Sequence, residues 1–453
     1  MTIRRTPADF IVAERPTAKF TAALVTEFSP QTTHVVYKLD KTSLTTPDAV
    51  QRFAQAMKAK PGSVDYAGLK DKHAQTSQHV SLPIASADDA AVKIRPSVGE
   101  SAWSATFVGF SPVPCTAETI DGNAFRIIIR DLAKGAVEEM DLRAERLRHP
   151  NDPANTLVFT NYFGAQRFGS ARHNHGFIAK HLCTGEFETA LKLSIGTPAR
   201  KDHGHLRQFT RVLASNWPPP APATATAAVG ATSPDSAHWK NLLPSVPKCP
   251  ERAAVERLAA GGTYRDAFSA LPYFSQQMAV EAFQSHLWNE VVRRLVRRLA
   301  IQQAPAPAFP AGAPRPEDDD GSPRPRKGAL ISSDDQFGIM LFPIASIIAN
   351  HWRELIVPMA APEAKLDNPA VRDITLETLA DEQLTLDQLT IPGLRRPTFG
   401  PATRPLFSFA QDVVLTPPEP DDLSDRRNRF KREMAFRLPR GSYATVLLRA
   451  LGQ

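Results

Sequence analysis

Cysteine is scarce in this 453-residue chain, with Cys115, Cys183 and Cys249 the only three. They are odd in number, far apart in sequence and form no Cys-x-x-Cys pair, which excludes a disulfide framework and a thiolate zinc site. Long hydrophobic runs are missing as well. The longest, Phe337 to Ala349, contains Pro343 and is too short to span a bilayer. Met1 to Asp9 lacks the apolar core of a secretory signal. No repeat of about 20 to 50 residues is visible, and no cofactor-binding motif stands out. Excess charge of one sign is modest: 54 Lys plus Arg against 47 Asp plus Glu, a net +7. That balance is compatible with a polyanionic partner without demonstrating one. These absences predict a soluble cytoplasmic protein with reduced thiols, no membrane association and no obligatory protein partner.

The length allows two or three domains and one sizeable core. Strand signals occur at Phe10 to Ala13, which has acidic residues on both sides, and at His34 to Leu39, Trp103 to Gly109 and Gly122 to Arg130. Helix signals fall at Thr45 to Lys58, with Pro47 in the first turn, and at Val137 to Leu147. No regular parallel strand–helix–strand period links them. The fold class is therefore α+β with a mixed sheet. A helix is expected over His175 to Leu193. Two stretches without core pattern, near 217–237 and 303–327, are rich in Pro and read as linker-like loops; the second holds the acidic run Glu317 to Asp320.

Three stretches carry chemistry. In Tyr66-Ala-Gly-Leu-Lys-Asp-Lys-His-Ala-Gln-Thr76, a glycine break and the alternating strand Gln78 to Pro83 enclose Lys70-Asp71-Lys72. A strand–loop–strand unit presents Asp71 at a sheet end with a cation on either side, where an ionised carboxylate serves as nucleophile or base. On local grounds alone the same residues also describe a charged hairpin turn. In Val158 to Gly169, Phe159, Tyr162, Phe163 and Phe168 interleave with Asn161, Gln166 and Arg167. Aromatic faces beside a guanidinium suit an unstacked RNA base, although any one ring taken singly suits a core. The helix Ser275 to Leu299 sets Phe283, Leu287, Val291, Leu295 and Leu299 on one stripe, widened by Val292 and Val296. Its flank of Arg293, Arg294, Arg297 and Arg298 fits RNA phosphates or, equally, a solvated helix face. At the C-terminus, strands at Phe409 to Leu415 and Lys431 to Leu438 precede a turn at Pro439-Arg-Gly441 and a helix with Ser442 as N-cap.

The strings Ala-Gly-x-Lys-Asp-Lys-x-Ala-x-Thr, Asn-Tyr-Phe-Gly-x-Gln-Arg-Phe-Gly and Phe-x-Leu-Pro-x-Gly-Ser-Tyr-Ala-Thr resemble signatures of the TruD family of pseudouridine synthases, and they occur in family order. Phe283-Gln-Ser-His-Leu-Trp-Asn289 is similar to a helix motif of that family's inserted domain. One departure is Thr160, where relatives often carry proline before the asparagine. The resemblance implies a catalytic domain with a central mixed, mainly antiparallel sheet, built from 1–175 and 400–453. An α+β TRUD domain would be inserted at 176–399, with the nucleic-acid cleft between the two. It implies conversion of uridine to pseudouridine in tRNA, at position 13 or another site, without cofactor or metal. Asp71 matches the catalytic aspartate, Asn161 and Phe163 the supporting amide and aromatic, and Arg4 the cation near the aspartate. Lys70, Lys72, Gln166, Arg167, Arg293 and Arg297 are the expected RNA contacts.

Two rival readings differ in class. His173-Asn-His175 and Asp202-His-Gly-His205 are His-x-His pairs of the sort metal-dependent hydrolases use, but the accompanying acidic ligands of a known motif are missing. A non-catalytic RNA-binding or RNA-folding protein on the same scaffold is the other, and the intact Asp71, Asn161 and Phe163 speak against it.

Overall fold

The computed structural model describes residues 2–149, 152, 154–171, 176–199, 202, 204–219, 235–303 and 355–452. Those residues form two compact units. One takes the described chain up to Asn161 and again from Phe407; the other runs from Tyr162 to Leu406. Boundaries expected near 175 and 400 from sequence therefore compare with 161/162 and 406/407 by packing. Most of the stretch 217–237 and nearly all of 303–327 lie outside the described residues, as do the apolar run at 337–349, His173, His175 and His203.

Strands in chain order are β1 Phe10–Pro16, β2 His34–Thr42, β3 Asp65–Tyr66, β4 Gln75–Pro83, β5 Ser97–Glu100, β6 Trp103–Ser111, β7 Ile120–Leu132 and β8 Leu157–Thr160. They continue with β9 Ile356–Pro358, β10 Thr403–Pro405, β11 Phe407–Leu415, β12 Glu419–Pro420 and β13 Phe430–Pro439. The first unit is organised on an 11-stranded sheet with the path β5-β6-β2-β4-β1-β7-β13-β11-β8, β3 pairing with β4 and β12 with β13. Only β1 and β4 run parallel; the other pairs are antiparallel. The expected mixed, mainly antiparallel α+β sheet is what forms.

Side-chain alternation decides what each face does. From β2, Val35, Tyr37 and Leu39 face Val80 and Leu82 of β4, and the helix Thr46–Ala56 covers them with Ala49, Phe53 and Ala54. That helix starts as its sequence dictates: Thr45 Oγ1 accepts from Asp48 N, and Pro47 occupies the first turn, where its missing N–H costs nothing. Two residues past Leu39, the same face turns polar. Lys41, Thr76 and Gln78 are buried there, at the end of the sheet where β2 finishes and β4 begins. The helix Lys134–Leu147 buries Val137, Met140, Ala144 and Leu147 at spacings of three and four.

The second unit is mainly helical, with one small antiparallel pair, β9 and β10. Its longest element, Tyr273–Gln303, buries Phe283, Leu287, Val291, Val292, Leu295 and Val296 as the stripe predicts. Three local expectations need correction. The helix expected over His175 to Leu193 is two helices, Ile178–Cys183 and Phe187–Ile195, because Gly185 takes φ +76° and ends the first as only glycine does cheaply. Trp217, in a stretch with no apparent core pattern, packs edge-on against buried Trp239 at 5.3 Å. Ser442 is not the N-cap of the last helix, Ala444–Ala450; Tyr443 holds that position, and Ser442 Oγ hydrogen-bonds Ser408 Oγ on β11 at 2.6 Å.

Candidate active site

Asp71 lies in the loop between β3 and β4, and the polar end of the sheet grips that loop by its backbone. Lys70 N donates to Thr46 Oγ1 at 2.9 Å, and Gln78 Nε2 donates to Gly68 O at 3.2 Å. Lys41 Nζ donates to Asp71 O at 2.9 Å and to Leu44 O at 2.7 Å. Within the loop, Asp71 Oδ1 accepts from His73 N at 2.9 Å. The other carboxylate oxygen, Oδ2, meets Arg4 Nη2 at 2.7 Å. Arg4 is itself steadied by the ring of Phe10, whose centroid is 4.4 Å from the guanidinium carbon.

Arg4, the cation implied by the family pattern, thus pairs with Asp71. Lys70 turns away to Glu14, Nζ to Oε1 at 2.8 Å, in a pair with side-chain exposures of 7% and 0%. Lys72 is exposed. Adjacent residues in a loop project in different directions, and a buried carboxylate draws the ammonium that can reach it. Glu14 also accepts from His79 N at 2.8 Å. Burial pulls Glu14 upward, but its hydrogen bonds to His79 and the charge of Lys70 outweigh that and hold it below the usual carboxylate range. Lys41 behaves oppositely. Burial brings it down to about 8, the Asp71 carboxylate opposing and the Lys70 charge adding.

The aromatic motif belongs to the second unit from Tyr162 onward, while Asn161, buried just after β8, closes the first segment of the other. Thr160, the departure from the family pattern, is the last residue of β8, opposite Phe407. Phe163 packs on the helix Tyr273–Gln303. Its N–H donates to Asn289 Oδ1 at 2.8 Å, and its carbonyl accepts from Asn289 Nδ2 at 3.1 Å. Trp288 meets the Phe163 ring edge-on, with centroids 5.5 Å apart. Arg404 lies over the same ring at 4.3 Å and donates to Tyr162 O at 3.4 Å. The helix motif explains itself residue by residue: Gln284 donates to Ala360 O and Gly400 O, Ser285 accepts from Arg167, and Trp288 Nε1 donates to Val357 O.

Over residues 1–451 the sequence matches the family described as tRNA pseudouridine synthase D (TruD). The chain belongs to the TruD family. It is 26% identical to the tRNA pseudouridine synthase D of Aquifex aeolicus, over 92% of this chain and 91% of that one. With the tRNA pseudouridine synthase D of Leptospira interrogans it shares 24% identity, over 99% and 95%. The crystal structure of a putative TruD from Methanosarcina mazei superposes with a TM-score of 0.62 at 20% identity, covering 99% of this chain and 92% of that chain, which supports the fold. TruD membership makes the protein an isomerase whose reaction turns uridine in tRNA into pseudouridine.

Several TruD residues singled out in the sequence are already engaged within the protein. Arg167 pairs with Glu281 at 2.8 Å; Gln166 beside it is exposed. Arg293 is bound to Glu290 one turn back on its own helix, Arg294 to Asp381 and Arg298 to Glu377; Arg297 and Arg298 are exposed. The helix Pro369–Asp381 supplies two of those acids, so much of the basic flank serves packing between helices. Asp202 of the second His-x-His stretch accepts from Ala199 N at 2.8 Å and Thr210 Oγ1 at 3.1 Å, as a loop-closing carboxylate does. Among the described residues, no three His, Cys, Asp or Glu side chains gather as a metal site, and no helix is long and apolar enough to cross a membrane. Sequence reading passed over Glu14, Lys41, Glu281 and Arg404. A lysine continuing the face of Val35, Tyr37 and Leu39 was the available signal for Lys41; for Arg404 there was none.

Proposed function

We propose that this TruD protein acts on position 13 of tRNA, with Asp71 as the group that works directly on the target nucleotide. The observation that carries the reading is the setting of Asp71: a part-exposed carboxylate, paired with Arg4, on a loop whose backbone is fixed by Lys41, Thr46 and Gln78. The reaction breaks the N-glycosidic bond, turns the uracil and joins it to the ribose through carbon. Nothing is gained or lost overall, so one carboxylate suffices, attacking the ribose or taking a ribose proton as the base departs. Arg4 holds that carboxylate in place through their ion pair. The target base has to leave its stack at a cost of roughly a few kcal/mol, which contacts in the enzyme offset. Phe163 is the aromatic surface for that base, held rigid by Asn289 and Trp288, and Asn161 is the supporting amide. Lys72, Gln166 and Arg297, all exposed, are candidates for RNA backbone contact; Lys70, Arg167 and Arg293 form the internal pairs described above.

The test is incubation of unmodified tRNA with wild-type protein and with Asp71→Asn, without added metal or cofactor, and mapping of pseudouridine by carbodiimide-dependent primer extension. Wild type should give a new stop at position 13. Asp71→Asn should lose turnover by at least about 10³-fold while binding tRNA nearly as well. A stop elsewhere would replace the position and keep the enzyme; an active Asp71→Asn would remove Asp71 from the chemistry.

A further inference from the structure

Residues 2–9 bring Arg4 to Asp71, so whatever fixes their path decides where the guanidinium meets the carboxylate. Beside the exposed Arg5–Asp425 pair, two buried anchors do so, and both are Arg130 on β7. Its backbone exchanges both hydrogen bonds with Thr2, at 3.0 and 2.8 Å. Its side chain donates through Nε to Asp9 Oδ1 at 2.9 Å, while Asp9 Oδ2 accepts from Thr6 N at 2.9 Å and closes the turn that follows Arg4. The same guanidinium donates through Nη1 to Asp421 at 2.8 Å and to Asp422 at 2.9 Å. Asp421 in turn accepts from Asp131 N at 2.8 Å. The Arg130 side chain is 7% exposed, and those of Asp9 and Asp421 are 1% and 0% exposed.

We infer that Arg130 is a positioning residue of the reaction: by clamping Thr2 and Asp9 against the 421–422 turn, it sets the contact between Arg4 and Asp71. The inference rests on the reading of Asp71 and Arg4 given above. A forked, planar cation is needed to serve three carboxylates at once, so lysine is not an equivalent replacement.

The full-length protein serves for the experiment, with single-turnover rates on tRNA, tRNA affinity and melting temperature measured for Arg4→Met, Arg130→Met, the double variant and Asp71→Asn. Arg130→Met should slow the chemical step by roughly 10- to 100-fold through misplacement, with tRNA affinity little changed. The double variant should be no slower than Arg4→Met, because both changes remove one interaction. Arg130→Lys should not restore the rate. Val137→Ala, in the buried face of the helix Lys134–Leu147, should lower the melting temperature without slowing the reaction. Multiplicative effects in the double variant, an unchanged rate in Arg130→Met, or equal slowing by Val137→Ala would each overturn the inference. If Arg130→Met does not fold, Asp9→Asn takes its place in the same cycle, with the same expectations. Full activity of Asp71→Asn would instead remove the underlying reading, and that outcome is read independently of the cycle.

Discussion

The Asp71 loop and the Phe163 turn are both short connections after β-structure, yet they are held by opposite means. Around Asp71, fixation is ionic and comes from the sheet and the segment before it: Arg4 on the carboxylate, Lys41 of β2 on the backbone, Glu14 of β1 occupying Lys70. Around Phe163, it is aromatic and amide-based and comes from a helix: Asn289 on the backbone, Trp288 and Arg404 on the ring. On the function proposed above, the difference follows from what each turn has to present. A carboxylate needs cations near it but must not be smothered by them, so the nearest lysine is drawn off to a second acid. An aromatic surface needs no charge balance, only a ring that cannot swing.

That contrast can be broken at three points. The largest effect is expected at Glu14. Removing it by Glu14→Ala leaves the Lys70 ammonium buried without its partner, at a cost of about 3–5 kcal/mol in urea unfolding. A loss no larger than the ~1 kcal/mol of an exposed pair would show that the ionic lattice is not what holds the Asp71 loop. A smaller loss is expected from Asn289→Ala, which strips the buried Phe163 N–H of its acceptor and should cost about 1–3 kcal/mol while lowering turnover. Retention of full turnover in that variant would detach Phe163 from the chemistry.

The smallest effect concerns an ionic contact placed in the helical unit, at Glu382. The hydrogen bond from His286, with Lys180 adding and burial opposing, holds Glu382 at about 2 against an ordinary 4.5. A carboxylate lowered in the folded state contributes stability above its unfolded value, and that contribution fades as pH falls through the folded one. The margin of wild type over Glu382→Gln in thermal melts should therefore be constant above about pH 5 and shrink between about 4.5 and 2. A margin independent of pH would mean that Glu382 acts by packing, and the helical unit would then owe nothing to charge there.

The helix Thr46–Ala56, the strands β1, β2, β6 and β7, and the stripe on Tyr273–Gln303 were legible because local signals agree with burial. Their periodicity, caps and β-branched runs all point the same way. Asp71, Asn161 and Phe163 were singled out because contiguous strings carry them, and Arg4 by its place six residues before Phe10. Without the family resemblance, the residues around Asp71 do not disclose which cation it meets, since Lys70 and Lys72 are adjacent in sequence and Arg4 approaches only after β1 and β4 pair in parallel.

By itself the sequence determined the element types, the family strings and the set of charged side chains available. Tertiary structure decided how those charges are spent. Glu14, Lys41, Arg130 and Arg404 took their roles from strands and turns far away in the chain, because a buried charge is stable only where a partner from another segment arrives to meet it.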